Sequence, residues 1–209
     1  MPQIALGQAA DPVRERVATE LPSLVSLYKH FHANPELSFM EVETAKRLAA
    51  ELRAAGLTVT TGIGGHGIVG ILKNGPGPTL LIRADMDGLP VQEETGLPYA
   101  SKKQLVDEQG NTVYTMHACG HDVHITSFVG TARMLGQLRD QWSGTLVMIG
   151  HRRGTLIHRL ADAVEVFVGA NEELPLTDCR AGGDRFAKFV LGHHLKGFTG
   201  ANQRGHAKV

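Results

Sequence analysis

The residues best suited to chemistry lie in one short stretch, MHACGHDVH, at residues 116–124. It places Cys119 close to His117 and His121, at the predicted start of a helix, where the helix dipole favours a thiolate. Thiolate and imidazole are ligands that zinc and similar divalent ions prefer. The stretch therefore predicts a metal site. A Cys–His nucleophilic pair and a histidine-rich surface loop are the alternatives.

A second stretch, RADMDGLP at residues 83–90, carries two carboxylates. Asp85 and Asp87 follow directly on the apolar run TLLIRA, which is typical of a buried strand. Carboxylates at a strand end can bind a metal ion or orient an imidazole that binds it. Taken alone, the stretch is better explained as a loop with acidic caps.

Composition narrows the possible partners. The 209 residues contain 21 Lys and Arg against 21 Asp and Glu, so we expect neither nucleic acid nor an anionic membrane as a partner. No basic and apolar leader opens the chain, and no apolar run approaches the length of about 20 residues that spans a bilayer, which favours a cytoplasmic location. Two cysteines are too few for a disulfide framework, whereas eleven histidines favour metal binding.

Apolar periodicity predicts helices that alternate with strands. The expected helices run from Asp11 to about Tyr28, from a cap signature at Ser38–Glu41 to Gly56, and from His121 to Leu138. The expected strands are 57–61, 68–73, 79–84 and 144–149, with a hairpin or tight loop at 74–78 and a polar connection at 92–115. The third strand, TLLIRA, is expected to be buried on both faces. The pattern predicts an α/β fold, a mixed sheet flanked by helices, with the chemistry beyond the carboxyl ends of its strands.

Four stretches together resemble the dinuclear-metal amidohydrolases, a family that includes hippurate hydrolase, N-acyl-amino-acid amidohydrolases and plant auxin-conjugate hydrolases. They are HANPELS from His32, LLIRADMDGLPVQEETGLPYAS from Leu80, MHACGHDVH, and GTLVMIG from Gly144. The resemblance runs from about Leu27 to Gly150. It implies a zinc-exopeptidase-like catalytic domain, with residues 11–150 as its N-terminal part and an incomplete C-terminus.

The resemblance also implies a cofactor, a substrate and roles for individual residues. It implies two divalent metal ions, zinc, manganese or cobalt, which are bridged by Cys119 and a water molecule. His121 would be a ligand, and Asp87 would be the catalytic carboxylate near the metals, with Asp85, Asp122 and His124 in supporting roles. The substrate would be a small N-acyl amino acid, whose amide bond is hydrolysed by metal-activated water.

The sequence departs from the family after GTLVMIG. Family members continue with Gln-Pro-Ala-Glu-Glu, in which the first Glu is the general base and the second binds metal. This chain reads His151-Arg152-Arg153-Gly154-Thr155 at that place. Neither Gly154 nor Thr155 can take a proton from water or ligate a metal ion as a carboxylate does. The general base is therefore missing where the family places it.

Two explanations compete for this departure. In the first, residues 151–188 are a divergent segment read after a frame slip, and residues 189–209 hold a short family-like strand, VLGHHL, followed by a truncated tail. His194 would then be a metal ligand. In the second, an insertion moves the acidic pair to Glu172 and Glu173, either of which would be the base. The slip is favoured because the insertion needs a long loop inside a compact sheet.

The family's dimerisation domain and its last metal-binding histidine have no counterpart in the sequence. We therefore expect a truncated or degenerate product, an amidohydrolase by descent with impaired or no turnover. The alternative is a non-catalytic protein, either a metal-binding remnant or one half of a split enzyme.

Overall fold

The structure, a computed structural model, describes residues 11–151. The helices are α1 Pro12–Ala33, α2 Val42–Ala54 and α3 His121–Gln137, with a 3-10 turn at Arg139–Gln141. The strands are β1 Thr58–Ile63, β2 Gly67–Asn74, β3 Thr79–Asp85, β4 Gln104–Val106, β5 Thr112–Tyr114 and β6 Gly144–His151. No helix of this described part is long and apolar enough to cross a membrane. The elements confirm the predicted mixed α/β class.

Four strands form the main sheet in the order β1-β2-β6-β3. β1 and β2 pair antiparallel, as do β2 and β6, whereas β6 and β3 pair parallel. β6 thus separates β2 from β3, so residues 75–78 form a tight loop between strands that do not pair with each other. Asp85 and His151 are paired at the carboxyl ends of β3 and β6. This edge of the sheet is where the fold class predicts the site.

The hydrophobic core lies between the sheet and the helices. α2 packs on β1 and β2, α3 packs on β3, and α1 packs on α3. The core includes apolar side chains from α2, α3 and the sheet: Leu48, Leu52, Ile68, Ile82, Ile125, Leu146 and Met148. Each such side chain, when fully buried, stabilises the fold by roughly 1.5–3 kcal/mol.

The burial of β3 differs from the prediction. Ile82 and Ala84 face the core, but Leu81 is 41% exposed and Arg83 is exposed as well. In the described part of the chain β3 has one neighbouring strand and is an edge strand. The expectation of burial on both faces was wrong, because an apolar run does not reveal how many layers cover a sheet.

Two helix ends also differ from the prediction. α1 continues past Tyr28 to Ala33, because Phe31 and His32 are buried in its last turn. The Ser38–Glu41 signature supplies no side-chain cap to α2. The carboxylate of Glu36 takes that role, accepting hydrogen bonds from the backbone N–H groups of Thr44 at 2.7 Å and Glu43 at 3.3 Å.

The connection at 92–115 contains an unpredicted hairpin, β4 paired with β5. The carboxylate of Asp107 organises its turn by accepting hydrogen bonds from the backbone N–H groups of Gln109 and Asn111. Each strand has three residues, too few for alternating hydrophobicity to stand out in the sequence.

Arg133 of α3 joins the three helices at their outer side. Its guanidinium donates to Glu20 of α1 at 2.9 Å and to Glu51 of α2 at 2.7 Å. We call the side chains of Arg133, Glu20 and Glu51 the Arg133 clamp. They are 12–19% exposed, so the clamp is partly solvated.

Candidate metal centre

Two chain segments meet at the carboxyl edge of β3: the loop that carries Asp87 and the turn that carries Cys119. The turn ends at Gly120, whose φ of 74° lies in the left-handed region that favours glycine. α3 begins at the next residue, His121. The tight turn and the helix start were both predicted, and they bring the predicted ligands to one end of α3.

The imidazole of His121 is held in one orientation. Its Nδ1 donates a hydrogen bond to the backbone oxygen of Asp87 at 2.8 Å and lies 3.3 Å from Asp87 Oδ1. Since Nδ1 carries the proton, Nε2 carries the lone pair, which is the tautomer that ligates a metal ion. The nearest ionic neighbour of Nε2 is Asp85 Oδ2, at 4.0 Å.

Asp87 is buried, with 5% of its surface exposed. The hydroxyl of Ser38 donates to Asp87 Oδ2 at 2.8 Å. Asp87 therefore lies between Ser38 and His121, where it orients the histidine. Cys119 is a free cysteine and is exposed, so its sulfur is accessible to an ion from solvent.

His117 adds a donor that the sequence stretch suggested but did not assign. Its ring is buried, and neither ring nitrogen has a hydrogen-bond partner among the described residues. Burial lowers the pKa of His117 to about 4, so the imidazole is neutral at neutral pH. Buried polar groups without partners are rare in folded proteins. A neutral imidazole two residues before Cys119 has the donor chemistry that a soft divalent ion prefers.

The described residues do not complete a coordination shell. Within residues 11–151 no three His, Cys, Asp or Glu side chains gather closely enough to hold a metal ion. Cys119 and His121, two of the predicted ligands, have the donor types that such an ion prefers. The other predicted site residues, Glu172, Glu173 and His194, lie outside the described residues.

The departure from the family begins at the site itself. Nε2 of His151 lies 3.5 Å from Asp85 Oδ1, to which Arg83 also donates at 3.1 Å. Asp85 thus lies against the guanidinium of Arg83 and the imidazole of His151 at the two strand ends. His124 is exposed, and its ring stacks on that of His121 with a centroid distance of 5.8 Å.

Sequence reasoning gave no role to His32. Its Nδ1 lies 2.7 Å from Asp122 Oδ2, and its Nε2 lies 2.9 Å from Glu93 Oε1. These partners are 90 and 61 residues away in sequence, so no local pattern reveals them. The one available signal was the position of His32 in the HANPELS stretch.

Comparison with known proteins shows which family the chain resembles. Residues 81–151 match the family model described as Peptidase family M20/M25/M40. This part of the chain is therefore similar to members of that family. The hippurate hydrolase of Campylobacter jejuni is 44% identical over 123 residues, which are 55% of this chain and 30% of that protein. The N-acyl-L-amino acid amidohydrolase of Geobacillus stearothermophilus is 35% identical over 173 residues, 82% of this chain and 40% of that protein.

A solved M20 structure shares the fold. It is the YXEP protein of Bacillus subtilis, described as a dinuclear metal binding peptidase, with a TM-score of 0.60 and 35% identity over 72% of this chain and 40% of that one. The chain thus spans less than half the length of these relatives. The predicted resemblance to metal-dependent amidohydrolases is confirmed, and the match covers the N-terminal part of the relatives.

Proposed function

We propose that this chain carries half of a dinuclear metal centre that hydrolyses the amide bond of N-acyl amino acids, hippurate-like or N-acetylated, in the cytoplasm. The geometry of His121 carries the proposal: Asp87 holds its Nδ1, which leaves Nε2 available near the exposed Cys119. The relatives named hippurate hydrolase and N-acyl-L-amino acid amidohydrolase support the substrate class.

Each residue has a defined part in this proposal. Cys119 and His121 would hold zinc, manganese or cobalt, with His194 as a further ligand, and Asp87 would fix the tautomer of His121. Bound divalent ions supply a water molecule that is acidic enough to react near neutral pH. The near-neutral net charge favours a small-molecule substrate over nucleic acid or a membrane surface.

We further propose that the 209-residue chain turns over slowly or not at all. The family's two glutamates are replaced by Gly154 and Thr155, and general-base catalysis alone is typically worth about 10² to 10⁴-fold. A frame slip across residues 151–188 is the favoured cause, and an insertion that moves the base to Glu172 or Glu173 is the alternative. A non-catalytic metal-binding remnant, or one half of a split enzyme, is the second candidate function. It is favoured by the absence of a three-ligand cluster within residues 11–151.

Metal content tests the site. The purified chain, loaded with zinc or cobalt and passed over a desalting column, should retain metal by elemental analysis, and Cys119→Ala should lose most of it. Cys179→Ala, which removes the other of the chain's two cysteines, is the matched control and should retain it. Equal metal in the wild-type chain and Cys119→Ala would remove Cys119 from the site.

Hydrolysis assays test whether the chain lacks a general base. Hydrolysis of hippurate and N-acetyl amino acids, with added cobalt or manganese, should equal the buffer rate. If the chain is active and Glu173→Gln abolishes the activity, the acidic pair is the relocated base and the frame slip is wrong. Sequencing the downstream DNA in all frames separates the candidates independently: a continuation with the dimerisation domain and a further histidine would restore the enzyme.

A further inference from the structure

The ring of His32 is enclosed between two carboxylates. Nδ1 lies 2.7 Å from Asp122 Oδ2 and Nε2 lies 2.9 Å from Glu93 Oε1. The side chains of His32, Asp122 and Glu93 are 8%, 3% and 0% exposed. Solvent therefore screens these three charges only weakly.

The two contacts fix the charge of the ring. An ionised carboxylate can only accept a hydrogen bond, so both nitrogens of His32 must donate, and an imidazole that donates from both nitrogens is a cation. Burial alone would lower the pKa of His32, but the hydrogen bonds to Glu93 and Asp122 outweigh burial and raise it. His32 is a buried cation between two buried anions.

Each carboxylate is tied to its own segment of the chain. Asp122 lies in the first turn of α3, and its Oδ1 accepts the backbone N–H of Val123 at 2.9 Å. Glu93 lies in the loop that follows the Asp87 segment, and its Oε2 accepts the backbone N–H of Ser101 at 2.6 Å. His32 thus joins the end of α1, this loop and the start of α3. We call the three side chains the His32 bridge.

The His32 bridge lies next to the candidate ligands without including them. Asp122 directly follows His121, and Cys119 lies in the turn just before, so a shift of the first turn of α3 would move both ligands. We propose that His32 is a positioning residue of the metal centre, whose cation holds the first turn of α3 so that Cys119 and His121 meet one divalent ion. This inference rests on the proposed function, because it requires an ion at those two residues.

Cobalt binding to the full chain provides the test. A thiolate bound to cobalt gives a charge-transfer band in the near ultraviolet, and a competing chelator converts the band into an affinity. In His32→Gln, the single amide nitrogen cannot serve two carboxylates on opposite sides of the ring. We expect the cobalt affinity of His32→Gln to fall about tenfold or more, as supporting residues of metal ligands typically show. His30→Gln, an exposed histidine of the same helix turn, should bind cobalt like the wild-type chain.

A purely structural role for His32 gives a different result. It would lower the melting temperature of the metal-free chain without changing the cobalt affinity of the folded protein, so affinities are compared at a temperature where circular dichroism shows both chains folded. If His32→Gln does not fold, Glu93→Gln replaces it, since this variant keeps the contact between His32 and Asp122. Glu93→Gln should show an intermediate loss of affinity, and an unchanged affinity would overturn the proposal.

The outcomes separate the two proposals. A folded His32→Gln chain with wild-type cobalt affinity overturns the positioning role and leaves the proposed function intact. A wild-type chain without the charge-transfer band overturns both, because Cys119 then binds no ion.

Discussion

The two ends of α3 are both attached to α1 by charged side chains, but they differ in burial. At the end that carries the candidate ligands, the side chains of the His32 bridge are at most 8% exposed. Toward the other end, Arg133 and its partners Glu20 and Glu51 are 12–19% exposed. α3 is therefore held by ion pairs that exclude solvent at the candidate site and by partly solvated ion pairs toward its other end.

The difference in burial indicates what each contact contributes. The free energy that charges lose on leaving water is about as large as the free energy gained from their attraction, so a buried bridge adds little net stability. Removing one member, however, leaves an unpaired buried charge, which is strongly destabilising. A partly solvated clamp can replace a lost partner with water. We infer that the His32 bridge fixes geometry, whereas the Arg133 clamp adds modest stability.

The largest expected effect comes from breaking the buried bridge. Asp122→Ala leaves the His32 cation with one carboxylate partner and removes one of the two acceptors of the Val123 N–H, the other being the backbone oxygen of Gly120. We expect the free energy of unfolding, measured in urea, to fall by about 3–5 kcal/mol. Asp140→Ala, an exposed carboxylate of the 3-10 turn, should change it by less than about 0.5 kcal/mol. A loss below about 1 kcal/mol in Asp122→Ala would show that His32 is not a buried cation.

A smaller effect is expected at the other end of the helix. Arg133→Met keeps the aliphatic part of the side chain and removes both ionic contacts, which should lower the free energy of unfolding by about 1–2 kcal/mol. Lys46→Met removes an ion pair whose side chains are 75% and 68% exposed, and it should have almost no effect. If Arg133→Met lowers the free energy of unfolding as much as Asp122→Ala does, the difference in burial does not distinguish the ion pairs at the two ends of α3.

The smallest expected effect is a gradual change in the free energy of unfolding with pH. Because the pKa of His32 is raised in the folded protein, His32 contributes its full stabilisation of the fold below about pH 6.5, the usual pKa of histidine. This contribution is lost as the pH rises through the raised pKa. Hydrogen bonds from Gln137 and Arg133 lower the pKa of Glu20. Burial alone would raise the pKa of Glu51, but Arg133 and Arg47 together outweigh it and lower that pKa. The contribution of these two carboxylates is lost only as pH falls.

Between pH 6.5 and 9 the lowered pKa of His117 and of His30 makes stability rise slightly with pH, which opposes the effect of His32. The contribution of His32 is therefore the difference between two chains: the urea midpoint of the metal-free wild-type chain should fall more, or rise less, with pH than that of His32→Gln. Equal slopes in the two chains would contradict the assignment of charge to His32.

The sequence predicted those features that local signals encode. Apolar periodicity located α3 and β6, and the glycine before His121 indicated the tight turn at Gly120. Cys119, His121 and Asp87 were chosen from residue type and family resemblance, and the fold brings Asp87 and His121 into contact. These signals suffice because each lies within a few residues of the feature that it predicts.

The features that escaped prediction depend on distant partners. The last turn of α1 is fixed by Phe31 in the core and by His32, whose partners are 61 and 90 residues away. The exposed side of β3 depends on which layers cover the sheet, and the cap of α2 comes from Glu36, outside the expected signature. None of these contacts produces a periodic pattern in the sequence that could predict it.

The position of β6 has a consequence for synthesis of the chain. β6 follows β2 and β3 in sequence but lies between them in the sheet. While the ribosome makes the chain, β2 and β3 emerge first, joined by a short loop, and nothing yet separates their backbone edges. They can pair with each other as a hairpin that has to open before residues 144–151 enter. Translation that stops before Gly144 leaves two unsatisfied strand edges, which can recruit other chains into aggregates.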